Sequence, residues 1–356
     1  MLRNILDAHY VPTLAIRPSE MRALQELPES DKDLLFPLVL LAPWATSLTL
    51  DKAIERVEKA YGKRPFFLDI DRYYSDDGAT ARAAQDEFRE LANPDNGFER
   101  WYDFIIRFDQ IIPTVRTNCQ TVENLCAQLE LVQKLGRGFA IRLDDPTATV
   151  PGFVYDEIAK IEHNNFIIIL DSGWSKNYLL HQLWFSQLVK RFSTSNPSVA
   201  IVLSSSNFPK SFTSFEGVEA EDIGSRKLFS LLRKEFNESV LIYGDWGSTK
   251  PRLKQGGGIP VPRIDYPLNT QWIIARSKEN DWDYEEAAAN LLASDHWNHA
   301  LAVWGSYMIE KTANGDNFGI DSIQKTVAAR VNIHLHLQSR YELPIPKLGT
   351  DDPWVD

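Results

Sequence analysis

Cysteine and methionine are scarce in this chain, with two and three residues, and basic side chains are outnumbered by acids, 38 to 49. Two cysteines make neither a disulfide framework nor a cysteine-rich zinc site. Cys119 and Cys126 fall in a helical-looking segment about two turns apart, beyond the roughly 7 Å Cα separation that a disulfide spans. Both are expected as free, buried thiols in a reducing compartment. The net charge of −11 leaves no general basic face for a phosphate backbone, so nucleic acid is disfavoured as a partner. No apolar run reaches the roughly 18 residues of a membrane span. The N-terminus MLRNILDAHYVPTLAIRPSE lacks the apolar region of a signal peptide. A cytoplasmic protein that does not engage membranes is the expectation. The glycines at 256–258 lack the Lys-Ser/Thr of a P-loop, and no GxGxxG turn, GxSxG elbow or Cys–His motif is present.

What is present is an alternation. Apolar runs of strand length are followed by segments of helical period: YVPTLAIR, LLFPLVLLAPW, RPFFLDID, FIIRFDQIIPTVRT, GFAIRLDD, NFIIILDSGW, SVAIVLSSSNFP and SVLIYGDWGST. The runs are nearly continuous rather than alternating, the pattern of parallel strands covered on both faces. Eight such units over residues 1–250 predict an α/β fold, a (β/α)8 TIM-like barrel. The fourth unit reads as a strand at each end of a kink. Residues 251–345 are predicted to form an α/β elaboration packed on the barrel, and 346–356 an extended tail.

The strands end in polar groups. Arg17 and Glu20 follow the first, and Asp69 and Asp71 end the third. Arg142, Asp144 and Asp145 end the fifth, and Asp171 ends the sixth. Ser204 to Asn207 end the seventh, and Tyr243, Asp245 and Trp246 the eighth. In a closed barrel the C-terminal strand ends share one mouth, where sites are built. Singly, Asp171, Asp145 and Ser206 also read as helix caps. Asp69 differs because it lies inside an apolar run, on the same side of the strand as Asp71. It needs a partner or water, and Arg17, Arg107, Arg116 and Arg142 are available. Arg17 is the leading expectation, since first and third strands are second neighbours whose inward residues share a layer.

These residues suit several chemistries. Asp69, Asp71, Asp144 and Asp171 can act as acid and base in glycoside cleavage. They can hold Mg²⁺ or Mn²⁺ for phosphodiester hydrolysis, or bind a polyol or amine without chemistry. Arg17, Arg142 and Arg263, with Glu20, Ser204, Tyr243 and Asp245, suit a small phosphorylated ligand, because guanidinium forks match phosphate oxygens. His334 and His336, two apart, and His296 and His299, placed on a helix, read as structural rather than metal-binding.

The opening HYVPTLAIRPSEMRALQEL, with Tyr10, Pro12, Leu14, Arg17, Glu20, Ala23 and Leu24, is similar to the start of the phage beta-protein family. LFPLVLL, PFFLDID, PRIDYPLNTQWIIAR, WGSYMIEKTANG and ARVNIHLHLQ extend the likeness through nearly the whole chain. Pro18 and Ala15 depart from it. The resemblance implies a barrel and a setting in phage–bacterium conflict, in phages or bacterial defence loci. It supplies no list of catalytic residues. Two functions follow as expectations. One is a mouth that binds, and with a divalent ion hydrolyses, a phosphorylated or nucleotide-like ligand. The other is a non-catalytic module that meets a protein partner from the same locus, for which an exposed cluster among Trp272, Trp282, Trp297 and Trp304 would speak.

Overall fold

The apolar runs form strands β1 (Tyr10–Ala15), β2 (Leu38–Leu41), β3 (Phe66–Ile70), β4 (Ile111–Val115), β5 (Phe139–Asp144), β6 (Phe166–Trp174) and β7 (Ala200–Ser206). Four more follow: β8 (Gly217–Asp222), β9 (Val240–Asp245), β10 (Ile264–Pro267) and β11 (Gln271–Arg276). Strands β1 to β7 and β9 pair in parallel, and β9 returns to β1, with Tyr10 opposite Tyr243, to close an eight-stranded barrel. This computed structural model describes residues 5, 8–45, 47–75, 82–117, 121–144, 150–161, 165–252, 261–279 and 281–343. Cys119, Asp145, the glycines at 256–258 and the tail at 346–356 lie outside the described residues.

Strand alternation sorts the side chains into two cores. Val11, Leu38, Leu40, Phe67, Ile112, Ala140, Ile167, Ile169, Val202 and Trp246 fill the barrel. Their neighbours along each strand, such as Leu14, Leu41, Leu68, Ile141 and Leu170, face outward and pack on the helices. The interior is narrow at β9. A Cβ on Gly244 would lie 2.7 Å from Val202 Cγ1 and 2.9 Å from the Val11 carbonyl, so only glycine fits.

The fourth unit departs from expectation. FIIRF carries no strand; its start closes a helix, Asp95–Ile105, and only β4 pairs. Trp101, Phe104 and Ile105 recur at helical spacing and are all buried, so the period of this face decides against the strand. The segment between β7 and β9 contains β8, which is polar and half-exposed and has no apolar run to announce it. It joins β11, and through it β10, in an antiparallel sheet. Thus the hydrogen bonding of the second sheet reaches back across residue 250.

The long helix Ile323–Ser339 fastens this sheet to the barrel. Asn332 Nδ2 donates to the Ala23 carbonyl at 3.0 Å, and buried Asp31 accepts from His336 Nδ1 and Arg340 Nε, each at 2.6 Å. His334 and His336 lie on that helix, while His296 and His299 follow a helix that has already ended at Leu292. Trp272 and Trp297 are buried and Trp282 and Trp304 half-buried. Cys126 is free and only half-buried. Among the described residues no helix is long and apolar enough to cross a membrane.

Candidate functional site

Arg142 stands inside the barrel near the C-terminal mouth, fully buried. It lies on β5, and its inward neighbours on β3 and β6 are acids. Its Nη1 is 2.9 Å from Asp69 Oδ2 and its Nη2 is 2.7 Å from Asp171 Oδ2. Asp144 Oδ2 is 3.7 Å from Nη1 and 3.0 Å from Arg72 Nε. Arg116 Nη1 lies 3.6 Å from Asp69 Oδ1. Three guanidiniums therefore balance three carboxylates. Trp246 Nε1 and the Gly173 amide donate to Asp171 Oδ1 at 3.0 and 2.9 Å, and the Ile70 amide donates to Asp69 Oδ1 at 2.8 Å. Burial works against the charge of Arg142, but Asp144, Asp171 and Asp69 outweigh it and hold its pKa well above the ordinary value.

The two acids of LDID thus have different tasks. Asp69 binds the interior arginines. Asp71, one pleat further on, accepts from Arg252 Nε at 2.6 Å. The expected Arg17 partner for Asp69 is corrected. Arg17 lies past the end of β1, at the start of the helix Pro18–Gln25, and faces Glu20, with Nη1 3.5 Å from Oε1. Arg107 is on the outer surface with Asp51 and Glu87. Burial raises the pKa of Glu20 and lowers that of Arg17, because a pair this long compensates poorly for lost water.

Among the residues that follow β1, β2, β3 and β9 lies a cavity of about 230 Å³, bounded by Arg17, Trp44, Tyr74, Arg82 and Arg252 among others. Arg56 stacks on the Trp44 ring, with Cζ 5.0 Å from the centroid. Gln85 Nε2 donates to Tyr74 Oη at 3.3 Å. The walls are aromatic and the charged groups that line the cavity are arginines. Two larger concavities, of about 340 and 520 Å³, lie away from the strand ends. In the first, Arg226 is held by Gln338. In the second, Arg22, Lys311 and Lys325 already pair with Glu26, Asp316 and Asp321.

Four of the expected residues fall outside this mouth assembly. Tyr243 and Asp245 face out from β9. Asp245 accepts from Tyr10 Oη at 2.5 Å, Tyr243 Oη at 2.8 Å, the Gly247 amide at 2.8 Å and His334 Nε2 at 2.6 Å. Burial acts to raise its pKa, and His334 and Tyr10 outweigh it, so the carboxylate stays ionised. Arg263 serves the second sheet, with Nε 2.8 Å from Asp265, which Arg330 also holds. Ser204 is inside the barrel, its Oγ buried without a hydrogen-bond partner. Sequence reasoning missed Arg72, Arg252, Trp44 and Tyr74. Arg72, Trp44 and Tyr74 stand within four residues of a strand end, and that position was the available signal; Arg252, seven residues past β9, carries none.

The donor set fits a divalent cation poorly. The inward oxygens of Asp69 and Asp171 already share one guanidinium, and among the described residues no three His, Cys, Asp or Glu side chains converge as a metal site. A metal ion there would have to displace Arg142.

Comparison with known proteins agrees with the resemblance. The family model described as Beta protein matches residues 10–340. Protein beta of Enterobacteria phage P4 is 28% identical over 338 residues, covering 92% of each chain. Among solved structures, the carboxyl transferase domain of Rhizobium etli pyruvate carboxylase, solved with pyruvate, is 10% identical with a TM-score of 0.37; the match covers 94% of this chain and 48% of that one. With its family match running from the first barrel strand to the end of the last helix, the chain belongs to the Beta protein family.

Proposed function

We propose that the protein is a binding barrel whose mouth takes a small phosphorylated, nucleotide-like ligand, in the setting of phage–bacterium conflict. The observation that carries this reading is the cavity lined by Arg17, Arg82 and Arg252 with Trp44 and Tyr74. Guanidiniums recognise phosphate oxygens, and aromatic faces stack on a base. At about 230 Å³ the space is just below the usual range of roughly 300–1,000 Å³ for small-molecule sites, which favours a mononucleotide over anything larger. The network around Arg142 contributes no side chain to this lining. Its carboxylates are committed to arginines, so metal-assisted hydrolysis loses the ligands it would require. The phage P4 relative supports the phage setting.

A second reading is a surface for a protein partner from the same locus. Tyr307 and Phe318 favour it, being 54% and 75% exposed side by side with Met308 on the C-terminal elaboration. Native mass spectrometry of freshly purified protein, with and without added AMP, separates the readings. A one-to-one adduct with a phosphorylated compound is expected. Its absence, with a stable heteromeric complex in its place, would favour the second reading.

A further inference from the structure

The loops that follow β7 and β9 carry a second feature that the mouth cavity does not use. Ser206 Oγ donates to the Thr249 carbonyl at 2.6 Å, tying the two loops together where they leave the barrel. Between Trp246 and Lys250 the backbone turns through two left-handed residues, Gly247 with φ +55° and Ser248 with φ +60°. A non-glycine residue is strained there. Trp272 Nε1 holds it in place, donating to Ser248 Oγ at 2.8 Å. This turn delivers the half-buried Lys250 to the rim.

Trp272, which holds Ser248, packs edge-on against Phe208 at 5.2 Å, so the turn before Lys250 sits beside the loop after β7, and the charges that act on Lys250 from other elements are those of cations. Lys210 comes from the loop after β7, Arg17 from the end of β1, Arg263 from the start of β10, and Arg330 from the helix Ile323–Ser339; the charge of each acts on the Lys250 ammonium. Lys210 lies over the Trp174 ring, its Nζ 3.4 Å from the centroid. Arg263 and Arg330 lie over Phe212 and Phe208, at 3.6 and 4.1 Å. The carboxylates that pair within this group are Glu20, beside Arg17, and Asp265, shared by Arg263 and Arg330; Asp71 also acts on Arg17. Arg252, further along the same loop, is matched by Asp71. Five cations thus face two carboxylates, in a protein whose net charge is −11. Such a concentration of like charge, ordered by aromatic stacking and a strained turn, is unfavourable unless an anion completes it.

We infer that the loops after β7 and β9 form a site for a phosphate-like dianion, with Lys250 as its anchor and Lys210, Arg17, Arg263 and Arg330 around it. That this dianion is the phosphate end of the ligand in the mouth cavity rests on the function proposed above, with Arg17 common to both. The anion site itself does not depend on that reading. In barrels of this type the loops after the last two strands are frequent positions for phosphate.

Burial, with Lys210, Arg330, Arg263 and Arg17, pulls the pKa of Lys250 down to about 8. A bound dianion favours the charged ammonium and raises that value. Binding is therefore strongest below pH 8 and weakens as pH rises and the free protein loses the proton. Sulfate is a suitable probe, because it stays dianionic throughout this range.

The test is calorimetric titration of sulfate, at constant ionic strength, into the full chain and into Lys250→Met at pH 7.0 and 9.5. The wild type should bind at pH 7.0 and lose about tenfold in affinity by pH 9.5. Lys250→Met should bind at least about tenfold more weakly at pH 7.0, the effect of one charge-assisted contact, with a flatter pH dependence. Its melting temperature without sulfate should equal or exceed that of the wild type, which shows that the loss is not unfolding. No sulfate binding by the wild type, or equal binding by Lys250→Met, overturns the inference. The same titrations with AMP separate the two proposals. Sulfate binding that depends on Lys250, without AMP binding, leaves the anion site standing and removes the nucleotide reading. AMP binding indifferent to Lys250→Met, beside sulfate binding that depends on it, leaves both sites standing and overturns the link between them.

Discussion

Arg142 and Asp69 meet across the barrel interior, Nη1 to Oδ2 at 2.9 Å, from strands separated by one other. Alternate strands of a closed barrel place their inward residues in one layer, so the contact follows from register. Asp171, on the strand next to β5, takes the other arm of the guanidinium at 2.7 Å. One cation thus stands at the centre of three acids.

Replacing that cation should be severe. Arg142→Met leaves Asp69 and Asp171 buried without their main partner and should cost about 3–5 kcal/mol of stability, measured by urea unfolding at pH 7. The loss should shrink on acidification, because a stranded buried carboxyl has a raised pKa and its penalty vanishes once it is protonated. A cost below about 1 kcal/mol, or one that grows in acid, would remove the network from its structural role.

Glu20 should behave in the opposite sense. Burial raises its carboxyl above the unfolded value, so ionisation disfavours the folded state at neutral pH, and this penalty is absent below the unfolded pKa. Glu20→Gln should raise the melting temperature at pH 7.5 by about 2 °C or more and leave it unchanged near pH 4. A lower melting temperature at pH 7.5 would show that the Arg17 pair outweighs burial.

Asp245 should prove structural. Asp245→Ala leaves Tyr10, Tyr243, His334 and the Gly247 amide without their acceptor and should cost about 3–5 kcal/mol at pH 7. Because the folded pKa of Asp245 is depressed, its contribution is complete above the unfolded value and is lost as pH falls through the folded one. The gap between variant and wild type should therefore narrow in acid. In whatever fraction remains folded, sulfate affinity should be unchanged; a specific loss of anion binding would return Asp245 to the site.

The barrel was legible because seven of its strands, all but β4, are nearly continuous apolar runs with both faces in need of cover. Strand β4 was blurred by FIIRF, whose apolar residues belong to a helix face. Strand β8 was invisible because GVEAED is polar and pairs only with β11, far along the chain. The site was half legible. That polar strand ends mark a mouth located Asp69, Asp71, Arg142, Asp144 and Asp171. The side of the strand decides the rest: Tyr243 and Asp245 belong to the helix layer, a distinction set by register at β9 that composition does not reveal. The expectation of Arg17 for Asp69 used a sound rule with the wrong neighbour, since β3 has a second neighbour on each side and β5 carries its arginine within the strand. Arg252 and Lys250 arrive on loops whose path is set by the second sheet.

The proposed function requires that the mouth bind a phosphorylated, base-bearing ligand. Calorimetric titration of AMP into the wild type, Trp44→Ala and Arg252→Met tests it most directly. The wild type should bind one-to-one, with affinity lowered by about tenfold or more in each variant, as expected for loss of a base-stacking face or a charge-assisted contact. Equal binding by all three proteins, or none by the wild type, would contradict it.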